Sequence, residues 1–410
     1  MEFRDYQKEI IKKGTQVIDR HGFLYLAMEV RTGKTLTSLG ICEQLGVENV
    51  LFLTKKKAMS SISDDLDKMC PVNFVMFTIN YESIHKIPKL KWDVIICDEA
   101  HSMGAFAKPN GRAKKVRDLI RANGSKVILL SGTPTPESYS QMYHQVYGIA
   151  NNPFSRYKNF YRFSDDYVDV FEKKINGNYI RDYSRGKKSI LDRMAPYTIS
   201  YTQKEAGFKV QITETKLYVD MESITYAMCK RLSKNLVIEG EEEVILADTP
   251  VKLMQKLHQM YSGTVKFESG KPLIFDMNKA AFIKKHFNGK KIGIFYKFTA
   301  ELKAMEYCFG ENLTTDLEEF NNTDKWIALQ IVSGREGLSL RNAECLVYYN
   351  IDFSATSYWQ SRDRMTTKDR TYNDVYWVFA KGGIEDKIYS AVTKKKDYTL
   401  SHFKRDLLSL

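Results

Sequence analysis

The sequence predicts an α/β protein in which two sheet-and-helix regions are separated by a segment of different character. Compact apolar runs alternate with helical patterns over residues 1–150, and this alternation resumes near Phe275. Short apolar runs bounded by polar residues are typical of buried parallel strands. Over residues 151–275 the alternation stops, which predicts a helical insertion and linker. We therefore expect three parts, 1–150, 151–275 and 276–410, the last ending in a basic helix or pair of helices over Ile384–Leu410.

The composition indicates a protein with an anionic partner and with neither a zinc site nor a disulfide framework. The 410 residues carry a formal net charge of +12, so nucleic acid is the first candidate partner. Six scattered cysteines include no Cys-x-x-Cys pair, which argues against a zinc site and against disulfides. No apolar run has the length of a membrane span, and the charged N-terminus is unlike a signal peptide. A cytoplasmic location is expected.

The segment Met28–Thr35 has the pattern of a phosphate-binding turn. The apolar run Phe23–Ala27 precedes it, and the helical segment Leu36–Leu45 follows. Backbone N–H groups at the start of such a helix bind phosphate, and the helix dipole adds to the attraction. Lys34 is expected to reach the β- and γ-phosphates of a nucleotide and Thr35 to bind Mg²⁺. Met28 stands where the usual pattern has its first glycine.

Polar residues follow two further predicted strands. Trp92–Cys97 ends in Asp98-Glu99-Ala100-His101, and Lys126–Leu130 ends in Ser131-Gly132-Thr133-Pro134. In an open α/β sheet, ligands bind at the edge where the strands end. Asp98 is expected to hold Mg²⁺, usually through water, and Glu99 to orient and deprotonate an attacking water. Other strands are predicted over Val47–Thr54 and Val72–Ile79.

Two further segments carry candidate binding residues. A helix over residues 1–22 contains Gln7, and a glutamine just before a nucleotide-binding strand can hydrogen-bond the edge of adenine. Residues 151–189 interleave basic and aromatic side chains, a pattern that can grip a nucleic-acid backbone and stack on bases. A helical insertion whose aromatic residues pack inward explains the same pattern, and both interpretations stay open.

The second sheet-and-helix region lacks a phosphate loop of its own, so it would complete the site of the first. Its predicted strands are Lys291–Tyr296, Trp326–Val332, Cys345–Tyr349 and Asp374–Ala380, with a helix over Ala280–Phe287. Polar residues again follow the strands, at 333–340, 350–352 and 354–370.

The order of these motifs resembles the Swi/Snf-like branch of the superfamily-two helicases and translocases over nearly the whole chain. In the first region, Phe3–Gln7 is similar to the adenine-reading motif and Leu26–Thr35 is similar to the Walker A loop. Asp98–His101 is similar to the DEAH form of Walker B, and Ser131–Pro134 is similar to the coupling motif. In the second region, Gly337–Leu340 is similar to a second-lobe motif that touches nucleotide and DNA, and Gln360–Arg364 is similar to the arginine-finger motif. Tyr296 ends a strand similar to the first motif of the second lobe.

The resemblance implies two RecA-like lobes, each a mostly parallel sheet flanked by helices, that clamp ATP and move along DNA. Implied catalytic residues are Glu99, Gln360 and Arg364. Implied nucleotide-binding residues are Arg4, Gln7, Thr32, Gly33, Lys34, Thr35, Asp98 and Gly337, of which Thr35 and Asp98 hold Mg²⁺. Implied coupling or DNA-contacting residues are His101, Ser131 and Thr133. The cofactors implied are ATP and Mg²⁺, and the partner is duplex or branched DNA.

The chain departs from the family in one position of the arginine-finger motif. The family usually places a second arginine three residues after the first, and here Thr367 follows Arg364. Arg362, Lys368 or Arg370 could supply this charge from a shifted register, or hydrolysis could be slower than in relatives.

The chain is compact for this family, and its sequence leaves other functions open. Little is present beyond the motor, as in compact members from phages and bacteria that act in replication, recombination or branch migration. A nucleotide-gated DNA clamp with little turnover and an RNA-directed motor are the alternatives. A restriction-system motor subunit is less favoured, because no nuclease-like cluster stands out.

Overall fold

The computed structural model describes residues 2–175, 178–334, 338–367 and 370–394. The chain divides between Phe208 and Lys209 into two compact units, and each unit is built around its own sheet. No helix within the described ranges has both the length and the apolar character needed to cross a membrane.

The first unit contains the elements labelled α1 to α7 and β1 to β8. Its helices are α1 (Asp5–His21), α2 (Lys34–Leu45), α3 (Met59–Met69), α4 (Gly111–Asn123), α5 (Met142–Gln145), α6 (Phe160–Tyr167) and α7 (Ser189–Met194). Its strands are β1 (Phe23–Met28), β2 (Asn49–Thr54), β3 (Val75–Asn80), β4 (Val94–Cys97), β5 (Lys126–Leu130), β6 (Phe171–Ile175), β7 (Asn178–Asp182) and β8 (Thr198–Tyr201).

Six of these strands form a parallel sheet in the order β3-β2-β4-β5-β1-β8 among the described residues. Successive residues of each strand face opposite sides, so β1 sends Phe23 and Tyr25 into one core and Leu24 and Leu26 into the other. Because both faces are covered, the central strands are apolar throughout, as the uninterrupted runs in the sequence predicted.

The second unit contains α8 to α15 and β9 to β18. Its helices are α8 (Ser223–Asn235), α9 (Pro250–Met260), α10 (Asn278–His286), α11 (Thr299–Phe309), α12 (Leu317–Asn322), α13 (Ile331–Gly334), α14 (Ala355–Arg362) and α15 (Glu385–Val392). Its strands are β9 (Gln211–Val219), β10 (Val237–Glu239), β11 (Val244–Leu246), β12 (Thr264–Lys266), β13 (Pro272–Ile274), β14 (Ile292–Tyr296), β15 (Leu313–Thr314), β16 (Trp326–Gln330), β17 (Cys345–Tyr348) and β18 (Tyr372–Ala380).

A second parallel sheet of six described strands has the order β15-β16-β14-β17-β18-β9. It too is buried on both faces, with Phe295 in one core and Ile294 in the other. Two parallel sheets flanked by helices confirm the predicted fold class of two RecA-like lobes. The predicted strand Trp326–Val332 ends earlier than expected, because α13 begins at Ile331.

The segment 151–275 differs from the helical insertion that the sequence predicted. Its strand β8 pairs with β1 in the first sheet, and β9 pairs with β18 in the second. The division at Phe208 lies inside this segment. These strands were missed because β8 is only four residues long and β9 alternates polar with partly buried residues, which is typical of an edge strand.

The C-terminal prediction is covered only in part. Helix α15 lies within the predicted basic helix Ile384–Leu410. Residues 395–410 lie outside the described ranges, as does Gly337.

Candidate functional site

The turn between β1 and α2 curls back on itself. Thr32 N and Thr32 Oγ1 both donate to Glu29 O, at 3.4 and 2.7 Å. Arg31 and Gly33 have left-handed backbones, with φ of 64° and 82°. Helix α2 therefore begins at Lys34, and the N–H groups of its first turn have no partner within the helix. Such a turn is a ready anion site.

Met28, which replaces the expected first glycine, belongs to the strand and not to the turn. It is the last residue of β1, is fully buried and pairs with Tyr201 of β8. The turn begins only at Glu29, so the side chain of Met28 does not occupy the space over the turn.

Lys34 and the segment after β5 lie together at this turn. Lys34 Nζ donates to Glu29 O at 3.2 Å. A Cβ placed on Gly132 would lie 3.5 Å from Met28 O and 3.7 Å from Lys34 Nζ. Thr35 is half-buried in the first turn of α2. The structure thus brings the predicted phosphate loop next to Ser131–Thr133.

Asp98 and Glu99 follow β4 at the same edge. Thr54 Oγ1 donates to Asp98 Oδ2 at 2.8 Å. Burial, together with the charge of Glu99, raises the pKa of Asp98 to about 6, while Thr54 and the charge of Lys34 oppose this rise. Glu99 has a left-handed backbone with φ of 49°, and such strain is concentrated at functional sites.

The oxygens of Asp98 and Thr35 fit a magnesium ion whose other ligands are mainly nucleotide phosphates. Mg²⁺ prefers hard oxygen ligands and usually keeps several waters, so one carboxylate and one hydroxyl suffice. Asp98 and Thr35 carry oxygens of this kind, and a cation would relieve the repulsion between Asp98 and Glu99. In the described part of the chain, no three His, Cys, Asp or Glu residues group as a metal site.

Glu99, His101 and Ser131 form a connected chain across the ends of β4 and β5. His101 Nδ1 lies 3.2 Å from Glu99 Oε2 and 3.0 Å from Ser131 Oγ. Ser131 Oγ also accepts a hydrogen bond from Thr133 N at 3.1 Å. The buried Thr133 Oγ1 has no hydrogen-bond partner among the described residues. The predicted water-activating carboxylate is therefore linked to the predicted coupling segment.

The start of α1 packs against the phosphate loop. Tyr6 OH donates to Thr32 O at 3.0 Å, and Arg4 Nη1 donates to Tyr6 OH at 3.0 Å. Gln7 is buried, accepts from Arg4 N at 3.0 Å, and places Nε2 3.5 Å from Gly33 O. A side chain at Gly33 would lie 2.4 Å from Gln7 Nε2, so glycine permits this contact.

Sequence reasoning missed two residues that support the loop from β8. Gln203 N donates to Glu29 Oε2 at 2.7 Å, and Gln203 Nε2 donates to Val30 O at 3.0 Å. The ring of Tyr201 stacks on Tyr6, with centroids 4.7 Å apart. The only sequence signal was the short pattern Thr198–Tyr201, which lies far from the other motifs.

In the second unit, Arg364 is bound to the segment that resembles a second-lobe motif. Arg364 Nη1 donates to Leu338 O at 3.1 Å, and Leu340 N donates to Arg364 O at 2.8 Å. Gln360 is buried in α14, and its Oε1 has no hydrogen-bond partner among the described residues. The structure therefore joins 338–340 to Arg364, and Gln360 lies in the helix that precedes Arg364.

The two described alternatives to the missing arginine are engaged elsewhere. Arg362 Nη1 lies 2.9 Å from Glu214 Oε1, and its guanidinium lies 4.1 Å from the ring centre of Trp359. Arg370 donates to the carbonyl oxygens of Arg341, Ala343, Glu344 and Tyr372. Both side chains hold their own unit together, and Lys368 lies outside the described ranges.

Comparison with known proteins gives the family. The SNF2-related domain matches residues 44–264, more than half of the chain, and the type III restriction enzyme res subunit family matches residues 1–85. The chain belongs to the SNF2-related family. It therefore has the general character of a helicase-type, nucleic-acid-dependent ATPase. The predicted resemblance to the Swi/Snf-like branch is confirmed.

Two solved structures are similar to this SNF2-related chain. One is the Sulfolobus solfataricus SWI2/SNF2 ATPase core in complex with dsDNA, with 15% identity, a TM-score of 0.43, and coverage of 99% of this chain and 92% of that one. The other is the core domain from the same organism, with 16% identity, a TM-score of 0.42, and coverage of 96% and 89%. No curated protein matches the chain.

Proposed function

We propose that the protein is an ATP-driven DNA translocase or helicase that acts on duplex or branched DNA. The observation that carries the proposal is that Lys34, Asp98 and Glu99 meet at one edge of the first sheet, beside the N-terminus of α2. A phosphate cradle next to two carboxylates is the arrangement that nucleotide hydrolysis requires. We further propose that the protein acts in replication, recombination or branch migration, the processes that the family resemblance implies.

In this proposal the residues of the first unit divide the work. Lys34 and the N–H groups of α2 bind the phosphates, and Arg4, Gln7 and the turn at Thr32–Gly33 bind or support the rest of the nucleotide. Mg²⁺ held by Thr35 and Asp98 would neutralise phosphate charge. Glu99 accepts the proton of the attacking water, and its Oε2 lies 3.2 Å from His101 Nδ1.

Arg364 and Gln360 supply the contribution of the second unit. A guanidinium can stabilise the charge that develops on the transferring phosphate. Arg364 is the candidate because it stands at the first arginine position of the motif, whereas Arg362 is held by Glu214 and Arg370 by several backbone carbonyls. Gly337 is proposed to contact nucleotide and DNA, as the family resemblance implies.

DNA is the proposed track because of charge and family. The net charge of +12 favours a polyanion. Binding through the phosphate backbone should tolerate any sequence and weaken as salt rises. His101, Ser131 and Thr133 are proposed to transmit the state of the nucleotide to the DNA-contacting surface.

The test is an ATP hydrolysis assay over a panel of nucleic acids of equal length. We expect duplex, forked and four-way DNA to raise the rate at least about tenfold, and RNA to raise it much less. Lys34→Ala should abolish hydrolysis, and Glu99→Gln should lower it by about 10²-fold or more while ATP is still bound. Lys12→Ala, an exposed lysine on α1, is the matched control and should behave as wild type.

Each other outcome selects a different function. A rate that no nucleic acid changes contradicts the proposal, and stimulation by RNA alone indicates an RNA-directed motor. Tight, ATP-dependent DNA binding with almost no turnover indicates the clamp. That alternative is favoured by Thr367, because neither Arg362 nor Arg370 is available as a second arginine.

A further inference from the structure

Strands β6 and β7 form an antiparallel hairpin outside the six-stranded sheet of the first unit. The ladder continues below the hairpin, since Asp169 N donates to Arg185 O at 3.0 Å and Lys187 N donates to Tyr167 O at 2.8 Å. A bridge between Val168 and Gly186 lies between these bonds. The hairpin is therefore one continuous two-stranded arm that starts at the end of α6.

The base of the arm is fixed by an aromatic core. Phe154, Phe160, Phe163, Tyr167 and Tyr183 are all buried within one cluster of the first unit. Phe163 lies between Phe154 and Tyr167, with ring centres 5.0 and 5.1 Å away. The interpretation that these aromatic residues pack inward is thus right for the base of the arm.

The arm itself exposes aromatic and basic side chains instead. Phe171 is 41% exposed and Tyr179 is 69% exposed. The guanidinium of Arg185 lies 3.6 Å from the ring centre of Phe171, so the pair presents a flat cationic surface. In the sequence of residues 169–188, Lys and Arg outnumber Asp and Glu by six to three. Exposed rings beside arginines are suited to stacking on bases and contacting phosphates.

Two buried serines, Ser138 and Ser140, bind the base of this arm to the segment that follows the coupling motif, and we call this pair the seat of the arm. Ser138 Oγ accepts from Gly186 N at 3.0 Å, and Ser140 Oγ donates to Tyr183 O at 2.8 Å. The two hydroxyls lie 2.9 Å apart. A Cβ on Gly186 would lie 2.4 Å from Ser140 N, so the close approach requires glycine.

The seat is connected to the edge of the sheet that carries Glu99. Gln145 Nε2 donates to Pro134 O at 2.7 Å and lies 3.5 Å from Gln141 O, which is next to Ser140. Pro134 follows Ser131, the residue bonded to His101. Hydrogen bonds and the short stretches of chain 140–141 and 131–134 therefore connect the arm to the proposed water-activating carboxylate, within the first unit.

We propose that the β6–β7 arm contacts DNA, with Tyr179 and the Phe171–Arg185 pair stacking on bases or sugars, and that Ser138 and Ser140 make this contact accelerate hydrolysis. The inference rests on the proposed function and identifies a DNA-contacting surface and two positioning residues for it. A two-part role gives two separable effects. Loss of the arm's side chains weakens DNA binding, and loss of the seat uncouples binding from hydrolysis.

The test measures ATP hydrolysis at increasing duplex DNA concentration for arm and seat variants. Tyr179→Ala and Arg185→Ala should raise the half-saturating DNA concentration about tenfold, the order expected when one stacking contact with a base is lost. Ser138→Ala and Gly186→Ala should lower the maximal stimulated rate severalfold while the half-saturating concentration changes less than about twofold. Tyr307→Ala, with Tyr307 87% exposed in the second unit, and Gly111→Ala, where a Cβ meets no atom within 4 Å, are the matched controls.

The outcomes separate this inference from the proposed function. If wild-type protein shows no stimulation by DNA, the proposed function fails and this inference fails with it. If wild type is stimulated but Tyr179→Ala and Arg185→Ala match Tyr307→Ala, the arm is not a DNA-contacting surface. If Ser138→Ala lowers the maximal rate only in proportion to its loss of folded protein, measured by circular dichroism, the seat has a structural role alone. Ser138→Ala decides this point should Gly186→Ala fail to fold.

Discussion

Glu99 is held in an uncommon conformation by its neighbours. Its left-handed backbone turns the chain sharply after Asp98, so that the two adjacent carboxylates serve different partners. Asp98 is bonded to Thr54, whereas Glu99 lies beside His101. The charge of Glu99 contributes to the raised pKa of Asp98. Two neighbouring carboxylates with different environments can carry different roles, a cation ligand and a base.

Arg364 and Arg370 provide a contrast between the proposed catalytic arginine and a structural arginine. Arg364→Ala should lower DNA-stimulated hydrolysis by about 10²-fold or more, with a small change in ATP affinity, because the charge it stabilises develops only during reaction. Arg370→Ala should instead destabilise the second unit by about 3 kcal/mol, since it leaves several carbonyl oxygens without a donor. Hydrolysis, nucleotide binding and thermal unfolding of both variants would be compared. Parallel loss of binding and hydrolysis in Arg364→Ala would count against its catalytic role.

At the scale of elements, sequence reasoning succeeded where strands are buried and failed where they lie at edges. The runs Phe23–Ala27 and Lys126–Leu130 predicted β1 and β5 because both faces of these strands are covered. Strand β8 has no such signal, because Thr198–Tyr201 is only partly buried. Its partner β1 is set by contacts across more than 170 residues, which no local pattern can show.

The candidate site, like the fold, could be predicted from the sequence only in part. Motif order placed Lys34, Asp98 and Glu99 together, and the parallel sheet brings strand ends to one edge. The supporting contacts of Gln203 and Tyr201 were not predictable, because they depend on the position of β8. The catalytic roles of Arg364 and Gln360 are proposals. Arg362 and Arg370 bind Glu214 and backbone carbonyls, so these contacts make them less suitable than Arg364 as the catalytic arginine.

Helix α5 carries a buried histidine that should make stability depend on pH. His144 Nε2 lies 3.3 Å from Ala107 O and its ring stacks on Phe160, and burial lowers its pKa to about 4. The unfolded chain binds a proton near pH 6.5 but the folded unit does not, so stability is lost as pH falls from about 6.5 towards 4. The loss reaches about 3 kcal/mol at most. Unfolding midpoints between pH 7 and 4.5 should vary less in His144→Gln, and the exposed His85→Gln is the control.

For the whole molecule, each unit has a sheet that is buried on both faces by its own residues. The first unit draws β8 from a segment that the sequence assigned to an insertion, so its boundary lies near Phe208. This bears on the proposed function, because β8 is the neighbour of the strand that leads into the proposed phosphate loop. Glu29 N donates to Tyr201 O at 2.9 Å, and Gln203 binds both Glu29 and Val30.

Two truncated chains test which boundary is functional. Residues 1–208 should fold cooperatively and bind an ATP analogue, because the sheet and the loop are complete. Residues 1–150 lack β8, which leaves β1 as an unpaired edge and removes the three hydrogen bonds to Glu29 and Val30, at about 1 kcal/mol each. The shorter chain should therefore unfold at a lower temperature and bind the analogue at least about tenfold more weakly.

Thermal unfolding and analogue fluorescence would measure both effects, with Gln203→Ala in the longer chain as an intermediate case. Equal stability and affinity of the two chains would show that β8 contributes nothing to the loop. Neither chain should show DNA-stimulated hydrolysis, because both lack Arg364.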